Sequence, residues 1–387
     1  MTDEAAPLCV ERIQLRGFRN YASAQSRFAP GLNVLWGRNG AGKTNLLEAL
    51  VLLAIGRSPR TSRDAELVRY GHDGFLVGAE LAEGGPAGRG RSLTAEYRRD
   101  GGKTVAVDGR TLPRVLDLCG NLLVVYFSPD DLWMVKGGPT GRRQLLDRLL
   151  SQSSPVYADA LVRYRQALAQ RNQTLRDVRA RRSGRALLAI WEPQLIQYGA
   201  ELLERRAAAA TVLAPLAADG YRALAGADER LDIRYIAGLG ARGPSPSAGT
   251  ARDWAASLES ALAAHADADI QSGVTGVGPH RDELALTLEG QPLREHGSQG
   301  QQRSAVLSLK FAERDYLARQ TGRQPVLLVD DVLSELDEPR RTGLRDELRG
   351  EGQVFLTTAD QRQAATMDAA AYWHVQDGGI TAERPSG

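Results

Sequence analysis

The stretch GLNVLWGRNGAGKTNLLEALVLLAIG, residues 31–56, decides the fold of this chain. It begins with an apolar run of strand length, passes through a glycine-containing loop, and ends in an apolar segment of helical length closed by Gly56. The loop, residues 37–44, fits the pattern G-x-x-x-x-G-K-[ST], which binds phosphate when it follows a strand and opens a helix. The sequence therefore predicts a strand, a phosphate-binding loop and a helix, in that order.

This loop has the residues that a nucleotide triphosphate requires. Glycines let the backbone curl so that successive N–H groups point inward at phosphate oxygens. Lys43 bridges the outer phosphates, and the hydroxyl of Thr44 holds Mg²⁺. The sequence contains no guanine-reading N-K-x-D motif, so we expect ATP and Mg²⁺ as cofactors. The candidate residues of the loop are Gly37, Arg38, Asn39, Gly40, Ala41, Gly42, Lys43 and Thr44.

Two later segments read as buried parallel strands that end in polar residues. They are PVLLVDD at 325–331 and GQVFLTTAD at 352–360, and both carry a continuous apolar run. Asp330 is the expected Mg²⁺ carboxylate, and Asp331 is expected to orient or deprotonate the attacking water. Adjacent carboxylates repel each other unless a cation lies between them, and Mg²⁺ is that cation. The candidate catalytic residues are Lys43, Asp330 and Asp331, and the candidate metal ligands are Thr44 and Asp330.

The residue pattern in the rest of the sequence changes twice. Between 75 and 110, segments alternate as antiparallel strands do, and Asp108-Gly109 supplies a hairpin turn. From about 128 to 269 the chain is rich in Ala, Leu, Arg and Gln, with long helical periodicity. We therefore predict an α/β fold in which residues 1–127 and 270–387 form an ATPase domain with an antiparallel β subdomain. Residues 128–269 are predicted to form a helical insertion domain.

Composition and charge limit the class of protein. Of 387 residues, 42% are apolar and 25% are charged, which is typical of a soluble globular chain. The apolar runs are too short for a bilayer span, and the N-terminus lacks the order of a signal peptide, so we expect a cytoplasmic protein without membrane contact. The net charge of +2 means that a nucleic acid would have to be bound by a local basic patch.

A second helix start also has the features of an anion-binding site. In HGSQGQQRSAV, residues 296–306, Ser298 alone could cap the following helix, yet glycines and glutamines surround it. Small residues and free amide donors at a helix start suit a negatively charged group. This helix start lies about 250 residues beyond the phosphate-binding loop, which makes it a poor second cradle for the same nucleotide.

Several motifs resemble known ATPases. SQGQQR at 298–303 resembles the signature motif of ABC-type ATPases, whose serine and glycine contact the γ-phosphate of a nucleotide held by the opposite subunit. SELD at 334–337 is similar to the D-loop that crosses the same interface. Further segments resemble the RecF family of bacterial recombinational-repair ATPases, which are related to SMC proteins. These segments are RGFRNY (16–21), GRSPR (56–60), FSPDDLWMVKGGPTGRRQLLD (127–147), QRNQTL (170–175) and GPHRDEL (278–284).

The resemblance implies more than the residues show by themselves. It implies an ABC-type P-loop ATPase head with a short SMC-like helical lobe and an ATP-dependent head-to-tail homodimer that shares two nucleotides. The implied function is a DNA-binding clamp with weak, DNA-stimulated ATPase activity. This clamp would promote recombinase loading at gapped DNA, in recombinational repair and replication restart, with RecR-like and RecO-like partners. The nucleotide-binding set then extends to Ser298, Gln299, Gly300, Gln301 and Asp337.

Two departures from the ABC pattern leave positions open. Where transporters carry a switch histidine this chain has FLTTAD, so either Thr357 or Thr358 takes that role or the role is absent. FSPDD replaces the glutamine of the Q-loop. An ABC transporter subunit and a P-loop kinase remain rival classes. The long separation of loop and signature disfavours the first, and the signature helix disfavours the second.

Arginines are concentrated between residues 163 and 185, where eight of them accompany a single acid, Asp177. A solvated helical face would give the same pattern. With the family resemblance, we favour contact with the backbone of duplex DNA or of a single-strand/duplex junction, without base readout. Ser183-Gly184 interrupts the periodicity and predicts the tip of a helical hairpin. The candidate DNA-binding residues near this tip are Arg179, Arg181, Arg182 and Arg185.

Overall fold

The computed structural model describes residues 6–83, 90–225, 229–240, 249–349 and 352–385. The strands are β1 (Ala6–Phe18), β2 (Tyr21–Arg27), β3 (Leu32–Trp36), β4 (Gly74–Glu83), β5 (Arg91–Arg98), β6 (Gly102–Val107), β7 (Arg110–Thr111), β8 (Val124–Phe127), β9 (Leu231–Ile236), β10 (Glu283–Leu288), β11 (Gln291–Pro292), β12 (Arg323–Gln324), β13 (Val326–Asp330), β14 (Val354–Thr358), β15 (Ala371–Gln376) and β16 (Gly379–Ala382). The helices are α1 (Lys43–Ile55), α2 (Trp133–Lys136), α3 (Pro139–Ser153), α4 (Pro155–Arg179), α5 (Glu192–Ala225), α6 (Ala251–Ser272), α7 (Leu293–His296), α8 (Gln299–Thr321), α9 (Glu338–Leu348) and α10 (Gln361–Ala365). Among the helices so described, none is both long and apolar enough to cross a bilayer.

The chain forms two compact units. The first contains the described residues of 1–131, 220–227 and 303–387, and the second contains those of 132–219 and 228–302. This division differs from the sequence-based one in three places. Residues 128–131 and the described residues of 220–227, predicted in the helical insertion, belong to the first unit, and residues 270–302, predicted in the ATPase domain, belong to the second. The physical reason at 270–302 is strand pairing, because β10 forms an antiparallel ladder with β9 and so completes a sheet of the second unit.

A mostly parallel sheet organises the first unit. Its order is β16–β15–β3–β14–β13–β8, with β16 as the antiparallel edge strand. The register sets Asp330 of β13 beside Thr357 of β14, and Thr358 beside Trp36 at the end of β3. The carboxyl ends of these strands therefore meet at one edge, directly where the phosphate-binding loop begins. The expected buried parallel strands at 325–331 and 352–360 are confirmed by β13 and β14.

An antiparallel sheet forms the other β layer of the first unit. Strands β2, β1, β4, β5, β6 and β7 follow one another in space, and β12 pairs in parallel with the start of β1. Asp108 and Gly109 have φ angles of 51° and 75°, so both central residues of the β6–β7 turn are left-handed. Two-residue turns of this kind match the twist of a hairpin. The predicted antiparallel subdomain and its turn are confirmed.

Helix α1 is buried on nearly every side. The run Leu46–Ala54 is buried throughout, and its side chains share one core with residues of both sheets. Burial of each large apolar side chain contributes about 1.5–3 kcal/mol, so this helix is a main source of stability in the unit. As predicted, Gly56 closes the helix. Its φ of 70° is a conformation that glycine adopts easily because it has no Cβ, and its N–H donates to the Leu52 carbonyl at 2.9 Å.

The second unit is largely helical. Helix α4 packs against α3 and α6, and the segment 180–191 connects it to α5. This connection is the hairpin tip expected around Ser183-Gly184. A small antiparallel sheet, in the order β11–β10–β9, completes the unit.

A candidate nucleotide-binding site

The phosphate-binding loop joins β3 to α1 with the expected backbone geometry. Gly37, Gly40 and Gly42 have φ angles of 148°, 80° and 120°, a region that side-chain-bearing residues rarely adopt. At Gly42 a Cβ atom would also lie only 2.5 Å from the side-chain nitrogen of Asn20. The loop therefore depends on glycine for both its curvature and its packing. Arg38, Asn39 and Gly40 are exposed at its crest.

Lys43 occupies the centre of the loop. Its Nζ donates to the carbonyl oxygens of Gly37 at 2.6 Å and of Arg38 at 3.0 Å, and the residue is only 6% exposed. Burial lowers the pKa of Lys43, while the nearby carboxylates of Asp331 and Asp330 act in the opposite direction. A cation held in this way has a strong electrostatic attraction to any phosphate group that enters the loop.

Asp330 lies at the edge of the parallel sheet among oxygen-bearing side chains. Its Oδ1 accepts hydrogen bonds from the hydroxyls of Thr44 at 2.9 Å and Thr357 at 2.8 Å, and its Oδ2 accepts one from Tyr126 at 3.2 Å. The structure thus brings together the two predicted metal ligands, Thr44 and Asp330. Hydroxyl and carboxylate oxygens are the donors that Mg²⁺ prefers, so this set of residues fits that ion.

Asp331 follows in a left-handed conformation with a φ of 52°. Its N–H donates to the hydroxyl of Thr357 at 2.9 Å, and its carbonyl oxygen accepts from Ser334 at 2.8 Å. Thr357 therefore orders both consecutive carboxylate residues. The hydroxyl of Thr358 donates instead to Gln363 at 3.2 Å, so of the two threonines considered for the switch position only Thr357 contacts this edge.

Residues of the RGFRNY segment support the loop, a role that the sequence did not reveal. The side chain of Asn20 donates to the carbonyl oxygen of Ala41 at 2.8 Å, and the hydroxyl of Tyr21 donates to that of Gly42, also at 2.8 Å. The hydrogen-bonding needs of these two loop carbonyls are thereby satisfied. The only signal in the sequence was the motif itself, whose purpose becomes clear from these contacts.

A buried carboxylate joins the same segment to GRSPR. Glu48 on α1 is fully buried and accepts two hydrogen bonds from Arg19, at 2.8 and 2.6 Å. The hydroxyl of Ser58 donates to it at 2.5 Å, and Arg60 contributes a longer contact at 3.4 Å. Arg60 also donates to Asn45 at 3.1 Å, beside the loop. Both motifs are therefore organised around the first turns of α1.

The signature segment lies at the start of α8, where residues 298–302 belong to the second unit and Arg303 to the first. Ser298 caps this helix, since its hydroxyl accepts from the N–H of Gln301 at 3.2 Å and the Gln301 side chain accepts from the N–H of Ser298 at 2.8 Å. This reciprocal pair is a capping box. Gln301 also donates to Glu229 at 2.7 Å. Ser298 and Gln299 are exposed and Gly300 is half-buried, so the helix start is accessible to another molecule.

The D-loop residue Asp337 lies in the first unit, where it caps α9. Its carboxylate accepts from the N–H of Arg340 at 3.2 Å and also pairs with the Arg340 guanidinium. More than half of the Asp337 side chain remains exposed. The family resemblance implies an intersubunit contact for Asp337, and this role stays a prediction.

The arginines of the hairpin are not equivalent. Arg181 and Arg182 are exposed at the tip, Arg179 donates to the carbonyl oxygen of Ser272 at 2.8 Å, and Arg185 pairs with Asp267 at 2.7 Å. Arg171, in contrast, is fully buried, and it donates to Asp269 and Thr275. One of the eight arginines counted as a basic face therefore belongs to the core.

The second unit contains a further buried network around Arg206. Its guanidinium donates to Asp147, Asp282 and the carbonyl oxygen of Pro279, each at 2.7 Å. The Arg206 guanidinium lowers the pKa of Asp147 against the opposing effect of burial, whereas burial dominates at Asp282 and raises its pKa. The GPHRDEL and GRRQLLD segments thus meet in a structural ion cluster.

The comparisons with known proteins show which family the chain is similar to. Residues 9–382 match the family model described as the RecF/RecN/SMC N terminal domain. The DNA replication and repair protein RecF of Heliobacterium modesticaldum is 41% identical over 90% of this chain and 92% of its own length. The protein of the same name from Symbiobacterium thermophilum is 41% identical over 90% of both chains.

Solved structures give the same result. The recombination mediator protein RecF of the RecFOR pathway, solved as RecF-ATPrS, superposes with a TM-score of 0.89 at 30% identity, over 98% of this chain and 99% of that one. The Smc head domain from Pyrococcus furiosus, with a TM-score of 0.55 at 17% identity, covers 97% of this chain and 96% of its own, and shares the fold. The fold and the site thus define an ABC-type P-loop ATPase head of the SMC class. The chain belongs to the RecF/RecN/SMC N terminal domain family, and its relatives of high identity place it in the RecF branch.

Proposed function

We propose that this protein is an ATP-dependent, DNA-binding ATPase clamp that acts in recombinational repair and replication restart. The observation that carries the proposal is the assembled edge where Lys43, Thr44, Asp330 and Asp331 meet, in a chain of the RecF branch. Family membership favours this function over a transporter subunit or a P-loop kinase.

The residues of the edge have distinct tasks in the proposed hydrolysis of ATP. The loop amides and Lys43 bind the phosphates, and Thr44 and Asp330 would hold Mg²⁺. When bound, this ion neutralises charge on the phosphate oxygens. Asp331 orients the attacking water and accepts its proton, while Thr357 fixes the backbone of Asp331.

The proposed switch is dimerisation in trans. The exposed start of α8 supports it, because the hydroxyl of Ser298 and the first backbone N–H groups of the helix, those of Gln299 and Gly300, lie where a phosphate group held by a second copy can accept from them. If each γ-phosphate gains two charge-assisted hydrogen bonds of about 1.5–3 kcal/mol, two sites contribute roughly 6–12 kcal/mol. Moving a population from 1:99 to 99:1 takes about 5.5 kcal/mol, so loss of the γ-phosphate is sufficient to open the dimer.

The proposed partners are DNA and recombination mediators. The relatives are named for DNA replication and repair, and the RecF structures belong to the RecFOR pathway. We infer that this chain works in the cytoplasm with RecR-like and RecO-like proteins and promotes recombinase loading at gapped DNA. The exposed arginines Arg179, Arg181, Arg182 and Arg185 are the proposed DNA contacts.

A pair of substitutions at Ser298 tests the dimer. Asp and Asn are both as good as Ser at a helix N-cap, so Ser298→Asp and Ser298→Asn preserve the helix start and differ mainly in charge. Ser298→Asp should bind ATP as a monomer with unchanged affinity but fail to dimerise, because its carboxylate repels the partner's γ-phosphate. Ser298→Asn should still dimerise. Sedimentation velocity with and without ATP measures this, and a normal ATP-dependent dimer of Ser298→Asp would refute the interface.

A further inference from the structure

Arg340 connects the D-loop to the signature helix within one chain. Besides its contacts with Asp337, its Nε donates to the hydroxyl of Ser304 at 2.8 Å. Ser304 is fully buried on α8, and the side chain of Arg340 is only 21% exposed. A charge-assisted hydrogen bond in such surroundings is stronger and better fixed than one at the surface.

The position of Ser304 on α8 gives this bond its importance. Ser304 lies six residues after Ser298, whose hydroxyl caps the same helix. An α-helix transmits displacement along its axis as a nearly rigid rod, with a rise of about 1.5 Å per residue. Arg340 therefore bonds the D-loop to the same helix that Ser298 caps.

The same D-loop is also joined to the carboxylate edge. Arg341 donates to the carbonyl oxygen of Leu333 at 3.0 Å, and Ser334 donates to that of Asp331 at 2.8 Å. Both acceptors belong to the short connection between β13 and α9. A continuous hydrogen-bonded path thus runs from Ser304 through the D-loop to Asp331.

We propose that Arg340 is a positioning residue through which the two nucleotide sites of the dimer influence each other. This inference rests on the proposed function, in which α8 contacts the partner's nucleotide while Asp331 serves the chain's own. Closure of α8 on the partner's γ-phosphate shifts the D-loop through Arg340 and so places Asp331 for hydrolysis. Each site then becomes competent only when the other is filled.

The test measures cooperativity with the full chain and ATP. For wild type, two coupled sites allow a Hill coefficient approaching 2 for ATP hydrolysis. In Arg340→Ala the Hill coefficient should fall towards 1, with monomer ATP affinity unchanged within about twofold. Arg340→Lys keeps the charge but lacks the fork that reaches Asp337 and Ser304 together, so it should be intermediate.

Two further variants separate positioning from stability. Ser304→Ala removes only the acceptor on α8 and should lower the Hill coefficient as Arg340→Ala does. The double variant, Arg340→Ala with Ser304→Ala, should have the same Hill coefficient as Arg340→Ala alone. Arg349→Ala is the matched control, because Arg349 lies just beyond the same helix and forms an exposed pair with Asp346 at 3.4 Å. It should retain the wild-type Hill coefficient.

The outcomes are distinguishable. If wild type forms no dimer with ATP, the proposed function fails and this inference fails with it. If wild type dimerises cooperatively and Arg340→Ala shows the same Hill coefficient and the same ATP midpoint, the coupling role of Arg340 is overturned while the proposed function stands. Additive losses in the double variant would likewise overturn the direct link between Arg340 and Ser304.

Discussion

At the scale of single residues, His280 illustrates how two hydrogen bonds fix a protonation state. Its Nδ1 lies 2.7 Å from the hydroxyl of Tyr164, and its Nε2 lies 2.9 Å from the carbonyl oxygen of Thr275. A carbonyl can only accept, so Nε2 carries the proton and Nδ1 accepts from Tyr164. Burial, the largest influence, lowers the pKa of His280 to about 4. The ring is therefore neutral near pH 7.

This geometry predicts a dependence of stability on pH. The folded pKa lies below the unfolded value of about 6.5, so the stabilising contribution is complete above pH 6.5 and is lost as the pH falls towards 4. The difference between the folded and unfolded pKa values corresponds to about 3 kcal/mol of unfolding free energy. Urea unfolding between pH 7.5 and 4.5 should show a decline that His280→Gln makes shallower, because Gln does not titrate. The exposed His296→Gln is the control and should leave the decline unchanged; equal slopes for His280→Gln and wild type would contradict the prediction.

The sequence predicted the residues of the candidate site that belong to motifs, but not the neighbouring side chains that contact them. Gly37, Lys43, Thr44 and Asp330 follow from short patterns whose spacing the backbone imposes. The contact of Tyr126 with Asp330 did not follow, because Tyr126 belongs to no phosphate-binding motif and its partner lies 204 residues away along the chain. No local pattern reports which strands become neighbours, so such contacts require the fold.

At the scale of elements, α1 depends on the buried carboxylate of Glu48. Glu48→Ala removes two of the hydrogen bonds of the Arg19 guanidinium, and loss of one partner of a buried pair costs about 3 kcal/mol or more. We expect this loss of unfolding free energy in urea titrations, together with weaker ATP binding because Arg19 lies next to the supporting residues Asn20 and Tyr21.

A matched substitution tests that interpretation. Glu66 accepts from Thr61 at 2.5 Å, but half of its side chain is exposed. Glu66→Ala should therefore change the free energy of unfolding by no more than about 0.5–1 kcal/mol. Equal destabilisation by the two substitutions would show that burial of Glu48 is not what matters.

The hairpin between α4 and α5 makes a second prediction at this scale. Replacing both Arg181 and Arg182 with Glu should weaken binding to duplex DNA, and the slope of log affinity against log salt should fall by about 2, since each phosphate contact contributes about 0.9. Arg163→Glu is the control, because Arg163 lies on α4, away from the tip, and already pairs with Asp159 at 2.6 Å. Fluorescence anisotropy at several salt concentrations measures both, and an unchanged slope for the tip variant would exclude the tip as the DNA contact.

The same hairpin shows where counting charges misleads. Arg171 stands three residues after Leu168 and four before Leu175, so it falls on the apolar face of α4. That spacing was available in the sequence and predicts burial. The acid that neutralises it, Asp269, lies 98 residues away and was not predictable.

At the scale of the whole molecule, the proposed cycle depends on the rate at which ATP is lost. Asp331→Asn should slow hydrolysis by about 100-fold or more, since a positioned general base contributes 10²–10⁴-fold. The ATP-bound dimer should then persist longer. Single-turnover hydrolysis and sedimentation measure the two effects. Asp108→Asn, a like change in the β6–β7 turn where Asn tolerates the left-handed conformation, should alter neither. An unaffected rate in Asp331→Asn would reject the assigned role.

The fold class followed from the sequence, but the partition of the chain did not. The composition of residues 128–269 predicted helices and gave no sign of β9. The six residues of β9 pair with β10, which lies about fifty positions further along the chain. Helical periodicity is local and survives in the sequence, whereas strand register is a property of two segments together. Residues 270–302 were misplaced for that reason.

The position of β3 has a consequence for biosynthesis. Its hydrogen-bonded neighbours in the described sheet are β14 and β15, and the first of these begins more than 300 residues later along the chain. At about 5–20 residues per second, a ribosome needs roughly 15 s to 1 min to deliver them. During this interval the phosphate-binding loop has been synthesised, but β3, the strand before it, has no partner strands. Chaperone binding, or arrest of translation before residue 354, should therefore determine how much of the newly made protein ever becomes able to hold a nucleotide.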